Sequence, residues 1–100
     1  MAKPIPIQTE NAFGKALQYA RKSKGVAQEQ FDVVSSRTYV SSLERGLKSP
    51  TLKKVDDLAK VLQLHPLTLL ALAYVKPDGQ QDLGELLSQV TSELNEVTAR

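Results

Sequence analysis

The chain has 100 residues, which suffices for one domain with at most a small appendage. It contains no cysteine, so disulfides, thiolate catalysis and cysteine-based metal sites are excluded. No stretch approaches the roughly 18 apolar residues of a membrane span, and the first residues lack the apolar run of a signal peptide. We therefore expect a cytoplasmic protein with no membrane partner.

The net charge of +2 hides an asymmetry along the chain. Residues 1–75 carry eleven Lys or Arg against six Asp or Glu, a net charge of +5, whereas residues 76–100 carry two against five, a net charge of −3. A basic body suits a polyanionic partner such as nucleic acid. Small domains also show such charge imbalances by chance, so charge alone does not identify a nucleic-acid partner and the residue pattern has to be considered.

The first part of the chain predicts an extended arm followed by two helices. Residues 1–8 include two prolines and cannot form a regular helix. Thr9 or Asn11 is a suitable cap for a first helix, which Gly25 ends. Its core-facing residues recur at helical spacing: Phe13, Ala16, Leu17 and Ala20. A very short second helix, residues 28–34, is predicted to be buried through Phe31 and Val34.

The stretch from Ser35 to Gly46 predicts a third helix whose surface chemistry is unusual. Ser35 or Ser36 caps its start, and Gly46 ends it in a left-handed conformation. Two apolar residues three apart, Val40 and Leu43, form a narrow seam for the core. The remaining surface offers hydroxyls and guanidinium groups, which suit phosphates and base edges. The pattern predicts a DNA recognition helix.

Two more helices follow, and the second is apolar on nearly every side. Thr51 is a suitable cap for the fourth helix. Its apolar stripe is predicted to contain Leu52, Val55, Leu58, Ala59 and Leu62. Pro66 stands in the first turn of the fifth helix, which extends to about Val75. We expect this helix to be buried against the domain and also against a partner chain, through Leu69 and Leu72.

The end of the chain predicts a linker at residues 76–81 and a last helix within residues 82–100. Its apolar residues are spaced 4, 3, 4 and 3 apart, as in a heptad seam: Leu83, Leu87, Val90, Leu94 and Val97. Three interpretations remain open: the helix pairs with a second chain, folds back on its own domain, or frays. No strand pattern competes, so the fold is predicted to be all-α: five helices and an additional C-terminal helix.

Nothing in the sequence favours an enzyme. The single histidine, His65, precedes Pro66 at a helix junction, where a cap or spacer role fits better than catalysis or metal binding. Asp56 and Asp57 are adjacent and therefore about 100° apart on a helix, so they do not converge on one metal ion. There is also no glycine-rich phosphate loop and no nucleophile elbow. We expect no cofactor and no metal.

The order of these features resembles the lambda-repressor-like helix-turn-helix family, the Cro/C1-type or XRE-type regulators. The resemblance covers roughly residues 16–72. The segments that carry it are Gln28-x-x-Phe31, the run Ser36–Gly46, Ser49-Pro50-Thr51-Leu52 and Leu58-Ala59-x-x-Leu62. It implies a five-helix DNA-binding domain, encoded by a bacterium or phage and associated with the nucleoid when bound to DNA.

The resemblance, together with the hydroxyl and guanidinium chemistry, predicts which residues contact double-stranded DNA. Gln28 matches a glutamine that hydrogen-bonds a phosphate and supports the recognition helix, and Arg37 matches a base-reading position. Arg can bind guanine O6 and N7 through two parallel hydrogen bonds. The full predicted set is Gln28, Ser36, Arg37, Thr38, Tyr39, Ser41, Ser42, Arg45 and Lys48.

The resemblance also implies a structural ion pair and one departure from the family. Glu44 matches an acid that pairs with an arginine of the first helix, and Arg21 occupies the place of that arginine. Glu44 lies sixteen residues after Gln28, against about eighteen in the family, and the turn lacks the usual glycine. The second helix or the turn is therefore predicted to be two residues shorter.

These observations predict a homodimeric, sequence-specific transcriptional regulator, a repressor of palindromic operators. The predicted dimer contacts are the fifth helix and the heptad seam. An alternative stays open, in which an antitoxin-type regulator of the same fold also binds and neutralises a partner protein.

Overall fold

The computed structural model describes residues 12–75 and 83–99, and no strand occurs in these two segments. The helices are α1 (Ala12–Ser23), a 3₁₀ helix (Gln28–Val33), α2 (Arg37–Glu44), α3 (Leu52–Leu62), α4 (Pro66–Val75) and α5 (Leu83–Thr98). The predicted all-α fold, five helices and an additional C-terminal helix, is confirmed. The predicted arm at residues 1–8, the caps Thr9 and Asn11 and the linker at residues 76–81 lie outside the described residues.

The core draws on each of the first five helices, which joins them into one packed unit. Its fully buried large side chains are Leu17, Phe31, Val40, Leu43, Leu58, Leu62 and Leu69. All but one are aliphatic, as expected for a chain with no tryptophan and only two phenylalanines. α1 packs against both α4 and α2, so the predicted recognition helix is supported from behind by the first helix of the domain.

The helix ends follow the capping residues of the sequence. Ser36 Oγ accepts a hydrogen bond from the Tyr39 N–H at 3.1 Å, which caps α2. Thr51 Oγ1 likewise accepts one from the Lys54 N–H at 3.1 Å and caps α3. Gly46 follows α2 with φ of 76°, the left-handed conformation that glycine adopts without strain. The predicted limits of the recognition helix are therefore correct to within two residues.

The second helix, Gln28–Val33, is a 3₁₀ helix rather than an α-helix. A 3₁₀ helix rises about 2.0 Å per residue and an α-helix about 1.5 Å. The six residues of Gln28–Val33 therefore span about 12 Å, the length that roughly eight residues of α-helix would cover. Tighter winding thus lets these six residues span more length than they would in an α-helix.

Two expectations about apolar residues are wrong. Leu52, predicted in the apolar stripe of α3, is 78% exposed, because it is the first residue of the helix and projects beyond the core. Leu69, predicted at a dimer interface, is fully buried within its own chain. The core takes the face of α4 that carries Leu69 and Ala73, while Leu67 is left exposed. Leu72 is partly buried and packs against the same core.

α5 stands apart from the core. It contacts α4, but none of its residues is buried. The five seam residues are exposed, from 41% for Val90 to 77% for Val97. The helix therefore does not fold back to bury this seam on its own domain.

A helix that crosses a membrane needs about 18 or more consecutive apolar residues. In the described segments no single helix is long and apolar enough; α3 and α4 reach that length and composition only as a pair, which is bent by 103°.

Candidate nucleic-acid interface

A bidentate ion pair joins α1 to the end of α2. Arg21 Nε lies 2.6 Å from Glu44 Oε2, and Arg21 Nη2 donates to Glu44 Oε1 at 3.0 Å. Arg21 Nη1 also donates to the Val26 carbonyl oxygen at 3.2 Å, in the turn after α1. Gln28 Nε2 donates to Glu44 Oε1 at 3.0 Å. One carboxylate therefore binds both α1 and the start of the 3₁₀ helix.

This network removes the only acidic group of α2 from its outer surface. The Arg21 and Glu44 side chains are 13% and 4% exposed. The hydrogen bond to Glu44 raises the pKa of Arg21 above its ordinary value, although burial acts in the opposite direction. A raised arginine pKa stabilises the fold at every pH below the ordinary value, and this contribution is lost only as pH rises through the raised one. Arg21 therefore remains charged throughout the physiological range.

The first turn of α2 presents the predicted base-reading groups to solvent. Arg37 and Thr38 are exposed, and Ser36 is exposed immediately before them. Tyr39 and Ser41 are half-buried. Arg45 and Lys48 are exposed after the helix and extend the positive surface beyond it. The outer side of α2 thus carries a guanidinium and hydroxyls at its N-terminal end and positive charge past its C-terminal end.

Ser42 does not belong to this surface. It was predicted to contact DNA, but it is only 8% exposed and lies with Val40 and Leu43 on the buried side of α2. α1 lies very close to this part of the helix, since a β-carbon built on Gly14 would be 2.3 Å from the Leu43 carbonyl oxygen. α2 is therefore covered over a wider arc than its apolar residues alone predict, and Ser42 falls within that arc.

Lys54 of α3 also lies beside the candidate interface, which the sequence pattern does not predict. Its Nζ donates to the Val34 carbonyl oxygen at 2.7 Å and lies 5.6 Å from the centroid of the Tyr39 ring. Lys48 Nζ lies 5.7 Å from the same centroid. Lys54 lies outside the apolar stripe predicted for α3, and periodicity identifies the face of a residue but not what a long side chain reaches.

His65 has a local structural role. Its Nδ1 accepts a hydrogen bond from the Leu67 N–H at 3.0 Å and so caps the start of α4. Within residues 12–75 and 83–99 no group of three or more His, Cys, Asp or Glu is placed to hold a metal ion.

A comparison with known families agrees with this geometry. A helix-turn-helix family model matches residues 17–69, more than half of the chain. The protein belongs to the Cro/C1-type (XRE-type) helix-turn-helix family. The match includes the 3₁₀ helix, α2 and α3, whereas α5 lies outside it. The chain is therefore a DNA-binding transcriptional regulator. Members of this family are not normally enzymes. No curated protein matches the sequence.

Proposed function

We propose that this helix-turn-helix protein is a homodimeric repressor that reads two-fold-related half-sites with the N-terminal end of α2 in the major groove. The observation that carries the proposal is the solvent-exposed first turn of α2, with Arg37 and Thr38 and no exposed acid on the helix. In this motif the N-terminal residues of the recognition helix reach the base edges. Arg37 would discriminate guanine by about 1–3 kcal/mol through two parallel hydrogen bonds.

The surrounding polar groups are suited to positioning the protein on the phosphate backbone. Phosphate contacts fix register and orientation, whereas base contacts supply specificity. Arg45 and Lys48 carry exposed positive charge past the end of α2. The remaining groups in reach of the same surface are Gln28, Ser36, Thr38, Tyr39 and Ser41. Gln28 has a second role, because its amide already donates to Glu44 and ties the 3₁₀ helix to α2.

The homodimer is supported by the exposed seam of α5. Five apolar residues at heptad spacing lie 41–77% exposed, and a second copy of the helix would bury them. Two-fold pairing would place two copies of α2 about one DNA turn, roughly 34 Å, apart on palindromic half-sites. Leu69 of α4 takes no part in this interface, because it is buried in the core of its own chain. Such a dimer would repress by occupying promoter DNA in the cytoplasm, at the nucleoid.

The test combines sedimentation equilibrium with selection of duplex fragments from random and genomic DNA, followed by a salt series. We expect a dimer that prefers a few palindromic fragments, with affinity that falls steeply as salt rises, because each neutralised phosphate releases counterions. A flat salt response with no preferred fragment would contradict the DNA-reading proposal. A monomer that binds single half-sites would contradict the dimer alone.

A second candidate is an antitoxin-type regulator that binds a partner protein through the same α5 seam. The observation that favours it is the combination of exposed apolar residues with acidic side chains, Glu85, Glu93 and Glu96, and no basic residue within α5. The two candidates predict different results for the purified chain. A dimer by itself supports the repressor, whereas a monomer that forms a defined complex with the product of an adjacent gene supports the antitoxin.

A further inference from the structure

The turn between the 3₁₀ helix and α2 is held by a lysine from another helix. Val34 follows the 3₁₀ helix, and its N–H donates to the Phe31 carbonyl oxygen at 2.9 Å. The Ser35 N–H donates to the same oxygen at 2.9 Å. The Val34 carbonyl accepts from Lys54 Nζ at 2.7 Å, and this hydrogen bond is charge-assisted. This glycine-free turn is thereby attached to α3.

The same ammonium group also contacts the recognition helix. Lys54 Nζ lies 5.6 Å from the centroid of the Tyr39 ring, within the range of a cation–π interaction. Tyr39 is in the first turn of α2, and its N–H is held by the capping hydroxyl of Ser36 at 3.1 Å. Lys54 therefore joins α3 to both the turn and the N-terminal end of α2. It is half-buried, unlike its exposed neighbour Lys53.

We propose that Lys54 is a positioning residue for base reading, an inference that rests on the proposed DNA-binding function. The C-terminal end of α2 is fixed by the Arg21–Glu44 pair, and Lys54 fixes the other end. Two attachments at opposite ends determine the direction of a short helix. Arg37 is the first residue of α2, so a small tilt at the end held by Lys54 moves its guanidinium out of the two-bond geometry that recognises guanine.

Lys54 could instead contact a phosphate directly, and a salt series distinguishes that role from positioning. Loss of one phosphate contact lowers the slope of log K against log salt by about 0.9 and weakens binding to all sequences alike. Loss of a positioning group leaves the slope and the binding to random DNA unchanged, because the phosphate contacts remain. It lowers only the affinity for the selected operator and the discrimination at the base pair read by Arg37.

The experiment compares Lys54→Met, Lys54→Arg and the control Lys53→Met in the full chain. Each is titrated with the operator selected by the wild-type protein, with an operator altered at the base pair read by Arg37, and with random duplex DNA. Lys53 is a matched control because it is adjacent on α3, its side chain is 84% exposed, and its Nζ lies 3.4 Å from Asp57.

We expect Lys54→Met to lose about tenfold in affinity for the operator and most of its preference over the altered operator. Its salt slope and random-DNA affinity should equal those of the wild type. Lys54→Arg, which can still donate to Val34 and stack on Tyr39, should recover most of the preference. Lys53→Met should keep the full preference. If Lys54→Met does not fold, Lys54→Gln replaces it, because the glutamine amide is polar but carries no charge over the Tyr39 ring; this variant too should lose preference without a change in salt slope.

Three results would overturn the proposal. One is unchanged preference in Lys54→Met, and another is an equal loss on operator and random DNA with a reduced salt slope, which identifies a phosphate contact. The third is a wild-type protein that selects no operator. That result would contradict the proposed function as well. Failure of the proposed function can be told apart from failure of the Lys54 proposal, because it is seen with the wild-type protein before any variant is made.

Discussion

At the scale of single residues, the carboxylate of Glu44 is the group on which the candidate interface depends. It accepts hydrogen bonds from both Arg21 and Gln28, and its side chain is almost fully buried. The same three residues hold α1, the 3₁₀ helix and α2 together and keep negative charge off the surface proposed for DNA. A single acid thus has a structural effect and an electrostatic one.

Glu44→Gln is expected to destabilise the fold. The substitution keeps the size of the side chain but leaves the charge of Arg21, 13% exposed, without its counter-ion. Breaking a buried pair in this way costs roughly 2–4 kcal/mol, which urea unfolding measures directly. The control is Glu29→Gln, an exposed acid near Arg21, which should change stability by less than about 0.5 kcal/mol. Equal effects of the two substitutions would contradict a structural role for the pair.

Arg37→Ala is expected to impair DNA reading and leave the fold intact, because Arg37 is exposed and makes no contact in the core. Affinity for the selected operator should fall by about 1–3 kcal/mol, and the preference at one base pair should relax. Fluorescence anisotropy with operators altered one base pair at a time measures both. An unchanged preference at every position would show that α2 docks on DNA through other side chains.

At the scale of helices, the packing of α1 on α2 is close enough to require a glycine. Gly14 is within α1, where alanine would normally be preferred by about 1 kcal/mol. Here an added β-carbon would lie 2.3 Å from the Leu43 carbonyl oxygen and 3.0 Å from that of Glu44, both backbone atoms. Helix propensity and packing therefore make opposite predictions for the same substitution.

Packing should win at Gly14, because neither carbonyl belongs to a flexible side chain. We expect Gly14→Ala to destabilise the domain by about 1–3 kcal/mol in urea or thermal unfolding. Lys15→Ala, at the next and exposed position of α1, serves as the control and should be nearly neutral. A more stable Gly14→Ala protein would mean that α1 and α2 are farther apart than the structure shows.

At the scale of the whole molecule, the domain and α5 differ in how much of their apolar surface is exposed to solvent. The first five helices bury a shared core, whereas α5 exposes every apolar residue of its heptad seam. Exposed apolar residues in one continuous stripe on a helix indicate a surface that a partner covers. The proposed partner is a second copy of the chain, which would also supply the second recognition helix.

Replacing Leu87 and Leu94 together with lysine should produce monomers in sedimentation equilibrium, since two charges would be placed at the centre of the seam. Both residues are exposed, 49% and 58%, so the domain itself should keep its thermal stability. Binding to a palindromic operator should weaken strongly, while binding to a single half-site should be retained. The control pair Ser88→Lys and Ser92→Lys lies off the seam. Persistent dimers in the seam variant would place the interface elsewhere.

The sequence by itself determined how many helices the described segments contain and most of the limits of those helices. Capping serines and threonines, terminating glycines and the apolar spacing act within a few residues, so they can be read without the fold. The pairing of Arg21 with Glu44 was predicted from the family resemblance. Helical spacing could not predict it, because 23 residues separate the two.

Only the tertiary structure decided which side of each helix is covered. Leu69 is buried and Leu52 is exposed against expectation, and Ser42 lies on the covered side of α2, the helix that α1 approaches closely at Gly14. The reach of Lys54 to the Val34 carbonyl likewise depends on where α3 lies against the 3₁₀ helix. The physical reason is common to all of these: periodicity fixes the direction of a side chain relative to its own helix axis, whereas burial and partners depend on where the other helices lie.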